Sequence, residues 1–533
     1  MPTLTQIDRN REAGQWPTRA KWARIALCIV SLAIYVALSL LHNQKDDDAE
    51  RRWVAYSIER TAMASALSHI VYGAPWASVY GSLFTKFVKP TAPLEETLEQ
   101  AKSKEIEPIN LIPYGPDGLS AGESIFATIA MRVFGIHASS ILWSFLTLMT
   151  FAVAAFLLRF PDSRALVAVA GLSALILMFA SQLVATPANI SQFPVGGYRY
   201  FSLLAAIPGM HIFLELINNE KSASSRQVVF RSLLLLIQLA IFAIALYVNV
   251  AAIYLYGPFA FGTAYALYNA RRDRAARAVQ FRKVAVIAGL VGATLLASNI
   301  VAPHGYRGTG RNGDMIWHRV FIAMGVNPAW PFGSLAEEYM GCSPPETEKT
   351  LEPGIADFNG QCVWSAYALQ HHLSAGELAW HVYDRQYNKV LRGALIRIAE
   401  QYPLETLLTF VYYKPLMLGD TLLSLFSFTY SLPGWVALLV AAQFLVLFAF
   451  ALIEAQSSSH IALVSVSLAL AAVSTCGLYF VAWGSVWTTG DLFFYLLALL
   501  TVGMIALLTA AARLLLCPGP KVATAVHTEA AAF

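Results

Sequence analysis

The sequence predicts an all-α polytopic membrane protein with about ten transmembrane helices, on three observations. Of 533 residues, 57% are hydrophobic and 13% charged, against roughly a quarter charged in an ordinary soluble domain. The charges are confined to a few segments, separated by apolar runs long enough to cross a bilayer. The basic clusters between those runs all fall inside if the N-terminus is cytoplasmic, as the inward bias of Lys and Arg requires. The formal net charge of +4 is small for this length and gives no case for a nucleic-acid partner. The expected partner is the lipid bilayer, and the expected location a bacterial-type inner membrane crossed many times.

Residues 1–24 form a cytoplasmic tail with Arg9, Arg11, Arg19, Lys21 and Arg24, ahead of an apolar run from Ile25 to Leu41. The sequence that follows, Asn43-Gln44-Lys45-Asp46, is no small-residue cleavage site, so the run reads as an uncleaved first span (25–42). Further spans are expected at 138–158, 165–186, 200–217, 232–249, 252–269, 284–302, 434–453, 460–482 and 491–515. Helix is the expected form because a backbone in lipid must satisfy its own hydrogen bonds.

The inner connections are then Arg159 to Arg164, Asn218 to Arg231, and Ala270 to Lys283, the last holding the densest basic cluster. The transmembrane domain covers 25–302 and includes a first outer loop, 43–137. A second outer loop spans 303–433, the C-terminal helices 434–515, and a cytoplasmic tail 516–533. Residues 121–135 are apolar but short and interrupted by Glu123 and Arg132. A span there would turn the basic cluster outward, so they are expected as an interfacial or re-entrant helix. Residues 405–432, with Lys414-Pro415 and Asp420, read as an interfacial helix plus turn.

Cys342 and Cys362 lie in the second outer loop, whereas Cys28, Cys476 and Cys517 lie in or at the end of apolar runs. Two cysteines on an oxidising side invite a disulfide, the alternative being two unpaired thiols. No further Cys or close His follows at zinc-ligand spacing. The chain shows no internal repeat and no nucleotide-binding glycine pattern.

Four features carry chemistry-bearing side chains. Asp46-Asp47-Asp48-Ala49-Glu50 follows the first span directly. Four acids at an interface repel one another unless a cation or basic partner offsets them. One of them is placed to deprotonate a hydroxyl, or the group to hold a divalent cation through oxygen ligands. The bland reading is a solvated cap balanced by Lys45, Arg51 and Arg52. Tyr114-Gly115-Pro116-Asp117-Gly118 is a turn signal, which makes Asp117 first a turn residue. The second loop opens with His304, Arg307, Arg311 and Trp317-His318-Arg319. Its arginines suit bidentate phosphate binding, or the stretch is a flexible connector ahead of a helix anchored by Trp317. His371-His372 and the shared face of 377, 381 and 384 offer a metal face or a solvated one. Within the membrane, His211 and Glu215 stand four apart and are expected to pair.

This layout resembles the GT-C superfamily of integral membrane glycosyltransferases, which includes protein mannosyltransferases and lipid A aminoarabinose transferases. The resemblance rests on the acids after the first span and the aromatic loop with Trp53, Tyr56, Tyr72, Trp76 and Tyr80. It continues through the helix between Gly118 and Phe134-Gly135 to the spans 138–158 and 165–186, within roughly residues 20–300. The resemblance implies a polyprenyl-phosphate sugar donor and a catalytic acid in the first outer loop. That acid would be Asp47 or Asp48, with Asp46 beside them, because this chain has three aspartates where the family has a short paired motif. Asp117 or Glu123 would stand in for a second acid, and Arg199, Arg307 or Arg311 would grip the donor phosphate. A single displacement at the anomeric carbon would invert it.

Two other classes fit the layout. A polymerase or ligase of lipid-linked oligosaccharides would depend on Arg307, Arg311, His304 and His318. A transporter or flippase would need broken helices or polar groups within the membrane, for which Asn249, Gly257-Pro258 and Gln182 are the candidates.

Overall fold

A computed structural model of the chain describes residues 57–74, 78–80, 94–103, 111–113, 121–137, 140–160, 201–218, 225–248, 250–272, 277–300, 316–327, 355–372, 385–416, 466–467 and 469–475. The described residues are helical apart from one short pair of antiparallel strands. The expected spans 25–42, 165–186, 434–453 and 491–515, and most of 460–482, lie outside them. Among the described residues one helix, Ser225–Val248, is both long and apolar enough to cross a membrane.

The described parts of the first expected outer loop are folded. Helix α1 (Ser57–Tyr72) buries Ala62, Met63, Ala64, Ala66 and Leu67. Small side chains let a second helix approach closely, and α3 (Ala121–Phe134) packs here through Ala127, Ala130 and Met131. Strand β1 (Ser78–Tyr80) pairs with β2 (Leu111–Pro113), tying the chain after α1 to the chain before α3. Between the strands, α2 (Leu94–Lys102) buries Leu98 and Ala101 and exposes Glu96 and Glu99.

The bundle proper contains α4 (Ser140–Arg159), α5 (Phe201–Leu204), α6 (Ala206–Ile217), α7 (Ser225–Val248), α8 (Tyr256–Arg272) and α9 (Arg277–Ile300). Its exterior carries large apolar side chains, and a few polar ones lie within a mostly apolar interior. Val229, Leu233, Leu236, Phe261, Phe281, Val286 and Leu296 are exposed, while Arg159, His211, Glu215, Gln238 and Gln280 are buried. Gln238 Nε2 donates to the Ala152 carbonyl at 2.7 Å, fastening α7 to α4.

The helices differ from the expected spans in two ways. First, the connections are shorter: α7 already starts at Ser225, and α8 and α9 take up Ala270 to Lys283 except 273–276. Arg226, Arg231, Arg277, Arg282 and Lys283 therefore sit on helices, where a long charged side chain reaches water without the backbone leaving the helix. Arg277 donates to the Arg271 carbonyl at 2.8 Å, capping an unsatisfied acceptor at the end of α8. Second, two of the expected spans depart from a regular α-helix. The run 200–217 divides at Ala205 into α5 and α6, and 252–269 opens with a 3-10 segment, Val250–Leu255. Tyr254 of that segment donates to the Ser202 carbonyl at 3.4 Å, so the two irregularities pack together.

The second expected outer loop contains a small helical unit. It comprises α10 (Ile316–Ala323), α11 (Ile355–Gln370), α12 (Arg385–Gln401) and α13 (Pro403–Leu408). Tyr387, Leu391, Ala394 and Ile398 recur at helical spacing along α12 and bury against Phe321, Met324, Val363 and Trp364. The polar side of α12 carries Lys389, Arg392 and Arg397, and the Arg392 guanidinium lies 5.1 Å from the Trp317 ring centre.

Candidate functional site

The polar interior of the bundle is built where helix ends meet. The C-terminal carbonyls of α6 have no partner within their own helix. Lys283 Nζ donates to Asn218 O at 2.6 Å and Gln280 Nε2 to Leu216 O at 3.5 Å, both from the first turns of α9. Glu215, in the last turn of α6, accepts from Arg159 Nε at the end of α4 and lies 3.8 Å from Lys283 Nζ. Arg159 and Glu215 are both buried, and hydrogen bonds of this kind are what make a buried ion pair tolerable.

His211 does not pair with Glu215, contrary to the expectation from their spacing. Arg159 and Lys283 are stronger partners for a carboxylate and occupy it. The His211 ring is fully buried, edge-on to Phe156 and Phe160 at 5.9 and 5.2 Å, and among the described residues neither ring nitrogen has a hydrogen-bond partner.

These contacts orient the helices. The ends of α4 and α6 and the start of α9 meet, and these are the ends that the basic clusters lead one to expect on the inner side. Helix α4 thus runs antiparallel to α7, with Ala152 beside Gln238. Gly122 at the start of α3 lies so close to the Tyr247 carbonyl near the far end of α7 that a Cβ there would collide with it. The end of α3 turns through Gly135 directly into α4, with Ser140 Oγ donating to Gly135 O at 2.6 Å. Both ends of α3 therefore sit near the same end of the bundle, opposite the Arg159–Glu215 pair.

Most sequence-predicted site residues lie outside the described residues: Asp46, Asp47, Asp48, Asp117, Arg199, Arg307, Arg311, His304 and Cys342. So do Gln182, Asn249 and the positions 377, 381 and 384. Glu123 stands in the first turn of α3, next to the Gly122–Tyr247 contact. Cys362 lies within α11. His371 and His372 close α11, with His372 in the left-handed backbone region at φ 54°.

His318, grouped with the loop arginines by sequence, is instead part of a packed core. Its Nδ1 shares a hydrogen bond with the Tyr387 hydroxyl at 3.0 Å, and its backbone N–H donates to Asn388 Oδ1 at 3.1 Å. Gly360 on α11 permits this approach, since a Cβ there would stand 2.5 Å from that hydroxyl.

A second polar group, missed by sequence, joins the unit to its last helix. Asn327 Nδ2 donates to Thr409 Oγ1 at 3.0 Å and to the Glu405 carbonyl at 3.2 Å. Thr409 opens a π-helical turn, Thr409–Tyr413, followed by Lys414. Lys414 is buried, with Nζ 4.2 Å from the Phe410 ring centre, and burial pushes its ammonium down to about 7. No protein-family model matches this chain, and no curated protein or solved structure gives a significant match.

Proposed function

We propose that the chain is a multi-pass inner-membrane glycosyltransferase of GT-C type, moving a sugar from a polyprenyl-phosphate donor to an acceptor hydroxyl at the outer face. The observation that carries the reading is the acidic run Asp46-Asp47-Asp48 directly after the first apolar run. It is joined to a first loop that folds as α1, β1–β2 and α3 against one end of the bundle. Asp47 or Asp48 accepts the acceptor proton as its oxygen attacks the anomeric carbon, and the lipid phosphate departs with inversion. Arg199, Arg307 or Arg311 neutralises that phosphate. The exposed apolar side chains of the bundle support the membrane setting, because such a surface suits lipid.

Asp47→Asn with Asp48→Asn abolishes transfer from a prenyl-phosphate sugar by purified protein, with expression intact. Full activity in that double variant overturns the assignment. Cysteines placed at positions 116 and 312 label from the outer side. Labelling only after the inner membrane is permeabilised overturns the topology.

A transporter is the second reading, favoured by the paired irregularities at Ala205 and Val250–Leu255 and by the buried His211, whose ring nitrogens have no partner among the described residues. The polymerase or ligase reading loses one of its groups, since His318 is held inside a core by Tyr387 and Asn388.

A further inference from the structure

The helix formed by α13 and its π turn continues through residue 416. One side of it carries Leu404, Leu407, Val411, Tyr412 and Leu416, each between 49% and 66% exposed. The other side packs on the helical unit through Thr409, which is fully buried against Asn327.

The π turn decides which residues belong to which side. In an unbroken α-helix, residues seven apart share a face. Lys414 follows Leu407 by seven and Val411 by three, so a straight helix would set its ammonium in the apolar stripe. Leu416 follows Thr409 by seven and would turn inward. A π turn holds one extra residue and rotates everything after it by about 100°. The Lys414 N–H bonds to the Thr409 carbonyl five residues back, so Lys414 comes to lie on the Thr409 side. Lys414 is accordingly 2% exposed and Leu416 49%. The only charged residues in this helix are Glu405 and Lys414. The Glu405 carboxylate reaches Asn327, on the protein side, and Lys414 is turned away by the π turn.

We infer that the Leu404–Leu407–Val411–Leu416 stripe is embedded in the outer leaflet of the bilayer, and that the π turn serves to keep Lys414 out of that lipid face. The occupant follows from where the chain goes next. Only residues 417–433 separate the helix from the apolar run 434–453. The stripe holds no charge, and Tyr402 and Tyr412 flank it with the amphipathic rings that favour the headgroup level. A charge on such a face would be costly to desolvate. The helical unit of the second loop is thereby pinned against the membrane surface. The inference rests on the membrane reading of the apolar runs and is independent of the transfer reaction.

The test uses the full chain in native membranes, with a photoreactive benzoylphenylalanine at Leu407, at Val411 or, as a control, at the exposed Glu400 of α12. Irradiation is expected to give phospholipid adducts at 407 and 411, seen as added lipid mass and released phosphate, and none at 400. A covalent dimer, a cross-link within the chain, or no adduct at 407 and 411 overturns the inference. So do lipid adducts of equal yield at 400. Fractionation separates this failure from failure of the membrane reading. A chain recovered in the soluble fraction refutes the latter, whereas a membrane-bound chain without lipid adducts refutes the embedded stripe alone.

Discussion

Arg159 and Glu215 lie 56 residues apart in the chain and form a buried ion pair where the ends of two helices meet. Lys283 approaches the same carboxylate from a third helix. The pair therefore binds α4, α6 and α9 at one end of the bundle, and the two members are not equivalent. Glu215→Leu takes the carboxylate away from two cations, of which Lys283 keeps the Asn218 carbonyl, whereas Arg159→Leu leaves Glu215 with Lys283. Removing one member of a buried pair costs about 3–5 kcal/mol. We expect the larger fall in unfolding temperature for Glu215→Leu, and partial recovery in the double variant. Single variants that unfold like the parent would show that the pair contributes nothing.

Gly122 tests the placement of α3. Its Cβ position falls on the Tyr247 carbonyl, which is backbone and has no rotamer to yield. Gly122→Ala should destabilise by roughly 1–3 kcal/mol, the usual cost of overpacking. Gly289 in α9 meets nothing within 4 Å, so Gly289→Ala should be neutral or stabilising by up to about 1 kcal/mol. Thermal unfolding of the two variants side by side decides the matter. Equal behaviour would move α3 off the end of α7.

His211 separates the two functional readings. Its ring nitrogens, without a partner among the described residues, sit between Phe156 and Phe160, a site suited to an apolar ring. Replacing an unsatisfied buried polar group by an apolar one of similar shape is neutral or stabilising. His211→Phe should thus hold or raise the unfolding temperature and leave glycosyl transfer unchanged. Loss of solute movement, with no glycosyl transfer in the parent, would favour the transporter reading.

Hydropathy located helices better than it located their ends. The run 138–158 matches α4 closely, but α7 and α9 each begin seven residues before their apolar runs, at Ser225 and Arg277. Apolar runs report where side chains leave water, and a helix continues past that point as long as its charged residues can reach out. The division at Ala205 and the π turn at Thr409 left no trace in the apolar pattern, because they are backbone events, whereas Val250 falls in the gap between the runs 232–249 and 252–269. The Arg159–Glu215 pair was hidden for a different reason. Spacing along one helix pointed from Glu215 to His211, while the partner that prevails is brought in by tertiary packing. A signal was present nonetheless, since Arg159 ends one apolar run and Glu215 stands near the end of another. The proposed catalytic acids rest on the sequence alone, because Asp46 to Asp48 lie outside the described residues.

Lys414 supplies a prediction whose sign depends on pH. Burial lowers its pKa from 10.5 to about 7, so between those values the unfolded chain holds a proton that the folded chain has released. Stability rises with pH wherever the unfolded state binds more protons. The penalty for burying this amine is therefore full and constant below about pH 7, and it fades as pH climbs toward 10.5. Lys414→Met keeps the length of the side chain and removes the charge. Its unfolding temperature should exceed that of the parent at pH 7, and the gap should narrow steadily in scans taken toward pH 10. Lys414→Arg cannot shed its proton and should unfold below the parent throughout that range. A Lys414→Met protein less stable than the parent at pH 7 would mean that the ammonium is charged and favourably held in the fold. The burial that the π turn imposes on it would then have been misjudged.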